Sequence, residues 1–157
     1  MVQRFGVWGG EPISQMIAAG LATCGISFVQ VQPEQKNSDG ALFIVPPGAD
    51  PSVVPSPLHV RYLLLPGGFV QPYIQADCAV SYGMKAQNSI TVSSLQEESM
   101  VLSLQRELVT LPGYVLERQE LCLLRPEGLS TEEALAVYGS LLMLGVMPGD
   151  LNRCRLA

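Results

Sequence analysis

The residues best placed for chemistry lie in the turn Gly6-Val-Trp-Gly9-Gly10-Glu11-Pro12-Ile13-Ser14. A glycine turn between a strand and a helix is where an α/β sheet usually meets phosphate, because backbone N–H groups and the helix dipole converge there. A dinucleotide fingerprint requires glycines in the register G-x-G-x-x-G, and counted from Gly9 the second and third of these are Glu11 and Ser14. Glu11 would set a carboxylate against a pyrophosphate, and Pro12 removes a donor N–H. The next strand ends Gln30-Val31-Gln32-Pro33, with no acid to hold a ribose. A P-loop needs Gly-Lys-Ser/Thr, whereas the two lysines, Lys36 and Lys85, lie far from this turn. The turn is therefore either a structural device, in which Gly9 and Gly10 permit a tight bend, or an altered ligand site.

Two further turns have similar character, Pro46-Pro47-Gly48 and Pro66-Gly67-Gly68. If the strands before them are parallel, all three turns line one edge of the sheet, the edge at which open α/β sheets bind ligands. The candidate ligand-binding residues are Gly9, Gly10, Glu11, Ser14, Pro47, Gly48, Gly67 and Gly68. Asp50 and Asp77 are the nearest carboxylates, but the pattern pairs neither with a base or a metal partner. His59 has no recognisable orienting acid, and no Ser or Cys sits in a G-x-S-x-G elbow. Tyr82-Gly83 and Ser93-Ser94 present hydroxyls of a kind common in strands and turns. No catalytic residue is assigned. The four cysteines, Cys24, Cys78, Cys122 and Cys154, follow no CxxC spacing and are joined by one histidine, so no metal site is expected. They read as reduced thiols, mostly buried.

Composition narrows the class. The chain of 157 residues is 48% hydrophobic and only 15% charged, with a formal net charge of −5. It lacks the basic stripe needed to release counterions from a nucleic-acid backbone. The start, Met1-Val-Gln-Arg-Phe-Gly-Val-Trp8, does not read as a signal peptide. No apolar run approaches the roughly 20 residues of a membrane span. A cytoplasmic protein is the expectation. With so much apolar sequence, strands covered on both faces and an oligomer contact are both expected.

The elements that would position these residues follow from local pattern. Arg4 to Trp8 reads as a buried strand. Pro12 suits a first helical position, and Ile13, Met16, Ile17, Leu21 and Cys24 recur at helical spacing before Gly25. Ile26 to Val31 closes a β-α-β unit, whose strands should be parallel. Ala41 to Val45 and Val60 to Leu65 are further strands, separated by a proline-rich stretch unlikely to form a regular helix. Cys78 to Tyr82, Ser89 to Leu95, Met100 to Leu108 and Tyr114 to Leu124 are strand-like runs, whose short connections read as antiparallel hairpins. Ser130-Thr131-Glu132-Glu133 is a capping box opening a helix that ends at Gly145. That helix is apolar nearly all round, which predicts a homo-oligomer contact through Leu135, Tyr138, Leu141 and Leu142.

The opening Phe5-Gly-Val-Trp-Gly-Gly10 with its following Ile17-Ala-Ala-Gly-Leu-Ala-Thr-Cys-Gly25, the segment Val80-Ser-Tyr-Gly-Met84 followed by Ser89-Ile-Thr-Val-Ser-Ser-Leu95, and the helix from Glu133 to Pro148 together resemble the central domain of the Mur ligases. Those enzymes use ATP to add amino acids to peptidoglycan precursors. The resemblance spans most of the chain in short apolar pieces. The family's Gly-Lys-Thr/Ser loop is replaced by Gly9-Gly10-Glu11-Pro12, its late His-Asn has no counterpart, and neither do its magnesium-holding lysine and acids. The resemblance thus implies a reduced relative without ATP-driven ligation.

The expected fold is a single α/β domain over residues 1–157, three-layered and Rossmann-like, with a mostly parallel sheet extended by C-terminal antiparallel hairpins. The expected function is a non-catalytic, oligomeric binding or interaction protein. The alternative is a nucleotide- or small-metabolite-binding protein using the glycine/proline turns. No P-loop ATP site, metal site, nucleic-acid partner or membrane partner is expected.

Overall fold

A computed structural model describes residues 2–9, 11–33, 40–54, 58–70 and 74–154. Strand β1 (Gln3–Val7) leads through the glycine turn into helix α1 (Glu11–Thr23) and back to β2 (Phe28–Gln30). Strands β3 (Leu42–Ile44), β4 (Leu58–Pro66) and β5 (Ile74–Tyr82) follow, with a 3-10 helix at Pro51–Val53 between β3 and β4. The second half comprises β6 (Ile90–Leu95), β7 (Ser99–Leu104), β8 (Leu108–Val109), β9 (Val115–Leu116), β10 (Gln119–Leu124), helix α2 (Thr131–Met143) and a 3-10 helix at Pro148–Arg153.

Eight strands form one sheet in the order β10-β7-β6-β5-β4-β3-β1-β2. Strands β1 to β6 pair in parallel with one another, and β7 is antiparallel to both β6 and β10. The fold is thus α/β and Rossmann-like, with a mostly parallel sheet and an antiparallel extension. One connection departs from expectation. The run ending at Tyr82 and the run beginning near Ile90 are parallel, not a hairpin. They meet only at Tyr82 and Ile90, so β6 starts beside the end of β5 and runs onward. The chain has only to step sideways, which a short loop can do. The hairpin around Pro112-Gly113 is also interrupted: β8 and β9 pair separately, while β7 and β10 pair outside them.

Alternation along the strands divides the interior in two. Phe5, Leu42, Ile44, Leu64, Val80 and Ile90 share one core with Ile13, Ile17 and Leu21 of α1 and with the buried length of α2. The two helices pack against each other, so both lie on this face. Gly139 lets α2 come close to the sheet, because a Cβ there would stand 3.1 Å from Ile90 Cδ1 and 3.4 Å from Leu64 Cδ2. On the opposite side Trp8, Val31, Ala41, Phe43, Val45 and Leu63 gather around Val54. Among the described residues no α-helix covers this second face. Prolines at 46, 47 and 51 deny the chain an interior helix there, and it manages one 3-10 turn.

The last helix, expected to make an oligomer contact, packs within the single chain. Leu135, Leu141 and Leu142 are 0% exposed and Tyr138 is 3% exposed within the single chain. Sheet, α1 and the C-terminal segment enclose α2, which accounts for its all-round apolar pattern. The cysteine reading also changes. Cys24 at the end of α1 and Cys154 after the last 3-10 helix form a disulfide, 130 residues apart in sequence, with Cα atoms 6.1 Å apart. Cys78, half-buried, and Cys122, exposed, are free thiols. Among the described residues no helix is long and apolar enough to cross a membrane.

Candidate ligand-binding edge

The parallel register brings the C-terminal ends of β1, β3 and β4 to one edge, and with them the three glycine turns. Gly9 adopts φ 68°, Gly48 φ 73° and Gly68 φ 85°, left-handed values that let the chain leave each strand abruptly. Helix α2 starts at this same edge. Its capping box is formed as the sequence predicts: Glu133 N–H donates to Ser130 Oγ at 3.1 Å, and Ser130 N–H donates to Glu133 Oε1 at 3.0 Å.

Two clefts open on either side of that helix start. One, of about 300 Å³, is walled by Trp8, Gly9, Pro12, Pro47, Gly48 and Glu133. The other, of about 230 Å³, is walled by Gly67, Gly68, Gly83, Lys85, Asn88 and Glu132. The first sits at the small end of the roughly 300–1,000 Å³ range of ligand sites and the second below it.

Of the residues singled out from sequence, Gly9, Pro47 and Gly48 come together in the first cleft, and Gly67 and Gly68 lie in the second. Glu11 and Ser14 wall neither cleft. Ser14 is buried and its hydroxyl donates to Glu11 O at 3.0 Å, satisfied inside the first turn of α1. Gly10 falls outside the described residues. Asp50 has a local task, accepting from Ser52 N–H at 2.9 Å; that backbone bond holds its carboxyl below the usual range. His59 and Asp77 meet at 3.1 Å, both exposed, in the part of β4 and β5 away from the turns.

Other residues at this edge are not among the ligand-binding candidates named from local pattern. The Tyr82 hydroxyl donates to Val45 O at 2.6 Å and ties the end of β5 to the end of β3. Burial, with the carboxylates of Glu132 and Glu133 nearby, pushes its pKa far up, so the phenol stays a neutral donor and positions backbone. Asn88 is 5% exposed and its amide donates to Lys85 O at 3.0 Å, closing the loop after β5. Gly67 leaves room for it: a Cβ there would fall on the Asn88 side-chain oxygen. Glu132 and Lys85 place opposite charges in one cleft, and neither belongs to the contacts His59–Asp77 and Arg153–Asp150. In the first cleft Trp8 is 2% exposed and its indole N–H has no acceptor among the described residues.

This edge brings no nucleophile together with a base among the described residues. Among the described residues no group of three or more His, Cys, Asp or Glu could hold a metal ion. No family model matches the chain, and no curated protein matches it.

Proposed function

We propose that this chain is a non-catalytic binding module that holds a small molecule at the C-terminal edge of its parallel strands. The observation that carries the reading is the pair of clefts flanking the start of α2, walled by the turns that follow β1, β3 and β4. Brought together there are glycine backbone, one cation, two carboxylates and a tryptophan, a mixture that orients a small polar ligand. Glu132 and Glu133 stand where a phosphate would need donors, which favours an uncharged or mixed-charge metabolite over a nucleotide. The kinship with the Mur ligase central domain belongs to the same proposal. A glycine turn into the first helix and a parallel sheet running into antiparallel strands are compatible with it, and the missing Gly-Lys-Thr/Ser loop implies a relative that has given up ligation.

Trp8 is the only tryptophan in the chain and forms a wall of the first cleft, so its fluorescence reports occupancy directly. A panel of nucleotides, amino acids and sugar metabolites should contain members that raise the melting temperature, and those in the first cleft should also shift Trp8 emission. Gly67→Val, which drives Asn88 from its place, should abolish binding in the second cleft. A panel without any saturable shift would sink the reading, as would ATP hydrolysis by the purified chain.

An oligomer acting as an interaction surface is the second reading. It is favoured by Val109, Tyr114 and Val115, which stand 44%, 51% and 57% exposed on the β8–β9 ribbon. Light scattering that gives a monomer at all concentrations would remove it.

A further inference from the structure

We propose that Cys24 and Cys154 form a reversible thiol–disulfide latch whose closed form seals the outer edge of β10 through Asn152. The pair is assembled by the fold alone, with Cα atoms 6.1 Å apart, inside the roughly 4.4–6.8 Å span of protein disulfides. Cys154 caps the 3-10 helix Pro148–Arg153, and the same short helix carries Asn152.

Strand β10 is the last in the sheet, and among the described residues no strand lies beside its outer side. A bare edge offers unpaired N–H and C=O groups to other chains. Here the Asn152 side chain takes the place of a neighbouring strand. Leu124 N–H donates to its Oδ1 at 3.1 Å, and its Nδ2 donates to Cys122 O at 3.0 Å. Asn152 stays in position only while its helix does. Buried Leu151 anchors the middle of that helix, and the bond to Cys24 anchors its end. The Arg153–Asp150 contact is internal to the helix and fixes it to nothing else.

The exchange needs a small disulfide such as oxidised glutathione. Cys24, half-buried, is more open than Cys154, which is 6% exposed. The Cys24 thiolate attacks one glutathione sulfur, forming a mixed disulfide and expelling one glutathione thiolate. Cys154, losing its proton to solvent, then attacks the Cys24 sulfur and expels the second glutathione. Two protein thiols are oxidised and one glutathione disulfide is reduced to two thiols; reduced glutathione drives the reverse.

The test uses the full chain in glutathione buffers of graded ratio, read by alkylation mass spectrometry and amide hydrogen exchange. In the oxidised chain Cys78 and Cys122 should alkylate, while Cys24 and Cys154 should not. On reduction the melting temperature should fall by about 10 °C, as expected for a bond closing so long a loop. Exchange at Leu124 and across residues 148–154 should speed by about tenfold or more while the rest of the sheet stays protected. Asn152→Ala in the oxidised chain should free the Leu124 amide with the disulfide intact. If Cys24→Ser does not fold, reducing the folded natural chain gives the same readout. Free Cys24 and Cys154 under oxidised glutathione, or equal protection of Leu124 in both redox states, would overturn the latch.

Discussion

The two faces of the sheet are built from the same strands, yet they differ in what covers them. One face lies under α1 and α2, and its side chains are almost wholly withdrawn from water. The other is covered by the proline-rich segment around Val54 and stays partly open, with a groove of about 410 Å³ bordered by Leu63, Leu65, Phe69 and Ile74. Adjacent residues of β4 show the contrast, Leu64 in the helical core and Leu63 at the groove. Regular covering elements bring rows of side chains at matched spacing and fill a face, whereas a proline-broken segment brings a few contacts. The helical face carries the stability. The edge proposed to bind then draws its rigidity from the start of α2, which that core holds in place.

The sharpest way to break this contrast is a charge on the helical side. Leu142→Asp puts an unpaired carboxylate into a fully buried site, at a cost on the order of 5 kcal/mol or more. That matches the whole stability of a small domain, so the cooperative melt should disappear from circular dichroism. A folded monomer obtained from a wild-type dimer would restore the interface role and contradict the packing described above.

Truncation at neighbouring positions compares the faces directly. Leu64→Ala should cost about 4 kcal/mol and Leu63→Ala about 2 kcal/mol in urea denaturation, because water already reaches the groove beside Leu63. Equal losses would mean that the second face is as tightly filled as the first.

Alkaline pH tests the helical face without side-chain truncation. Burial pushes the Tyr138 phenol up from 10.0 to about 12, and its hydroxyl donates to Leu124 O at 2.6 Å. An acid whose pKa is raised by folding holds its proton longer in the native state, so above the unfolded value the unfolded chain binds fewer protons. Stability from Tyr138 is therefore complete below pH 10 and falls as pH rises towards about 12. Tyr82, raised still further by burial, should act in the same direction. Tyr138→Phe should flatten part of the decline in melting temperature over that window, and an unchanged slope would refute the assignment.

Smaller effects belong to the ends and the open side. Ser130→Ala removes the cap of α2 and should cost about 1 kcal/mol in chemical denaturation, with a looser start of the helix at both clefts. His59→Ala, in an exposed pair, should change stability by less than about 1 kcal/mol.

Much of the site was visible in local pattern. The glycine turns were legible because φ values near 70–85° at Gly9, Gly48 and Gly68 leave a residue signature. The capping box at Ser130 and Glu133 was legible because both partners are three residues apart. Asn88, Lys85, Glu132 and Trp8 were not, since nothing local in their neighbourhoods says which turn will face them. The parallel relation of β5 and β6 was hidden for a similar reason: a short connection usually means a hairpin, and only the position of Ile90 beside Tyr82 makes it a sideways step.

The sequence by itself determined the element types, the parallel character of the opening β-α-β unit, the turns and the absence of a Gly-Lys-Ser/Thr loop. Each depends on backbone geometry and on residues only a few positions apart. Tertiary structure alone decided that α2 is enclosed by the sheet, α1 and the C-terminal segment, and that Cys24 meets Cys154. It also decided that an acidic helix start stands among the glycine turns. Those outcomes depend on which surfaces meet across the sheet, and an apolar helix or a solitary cysteine reads the same in sequence whatever it comes to face.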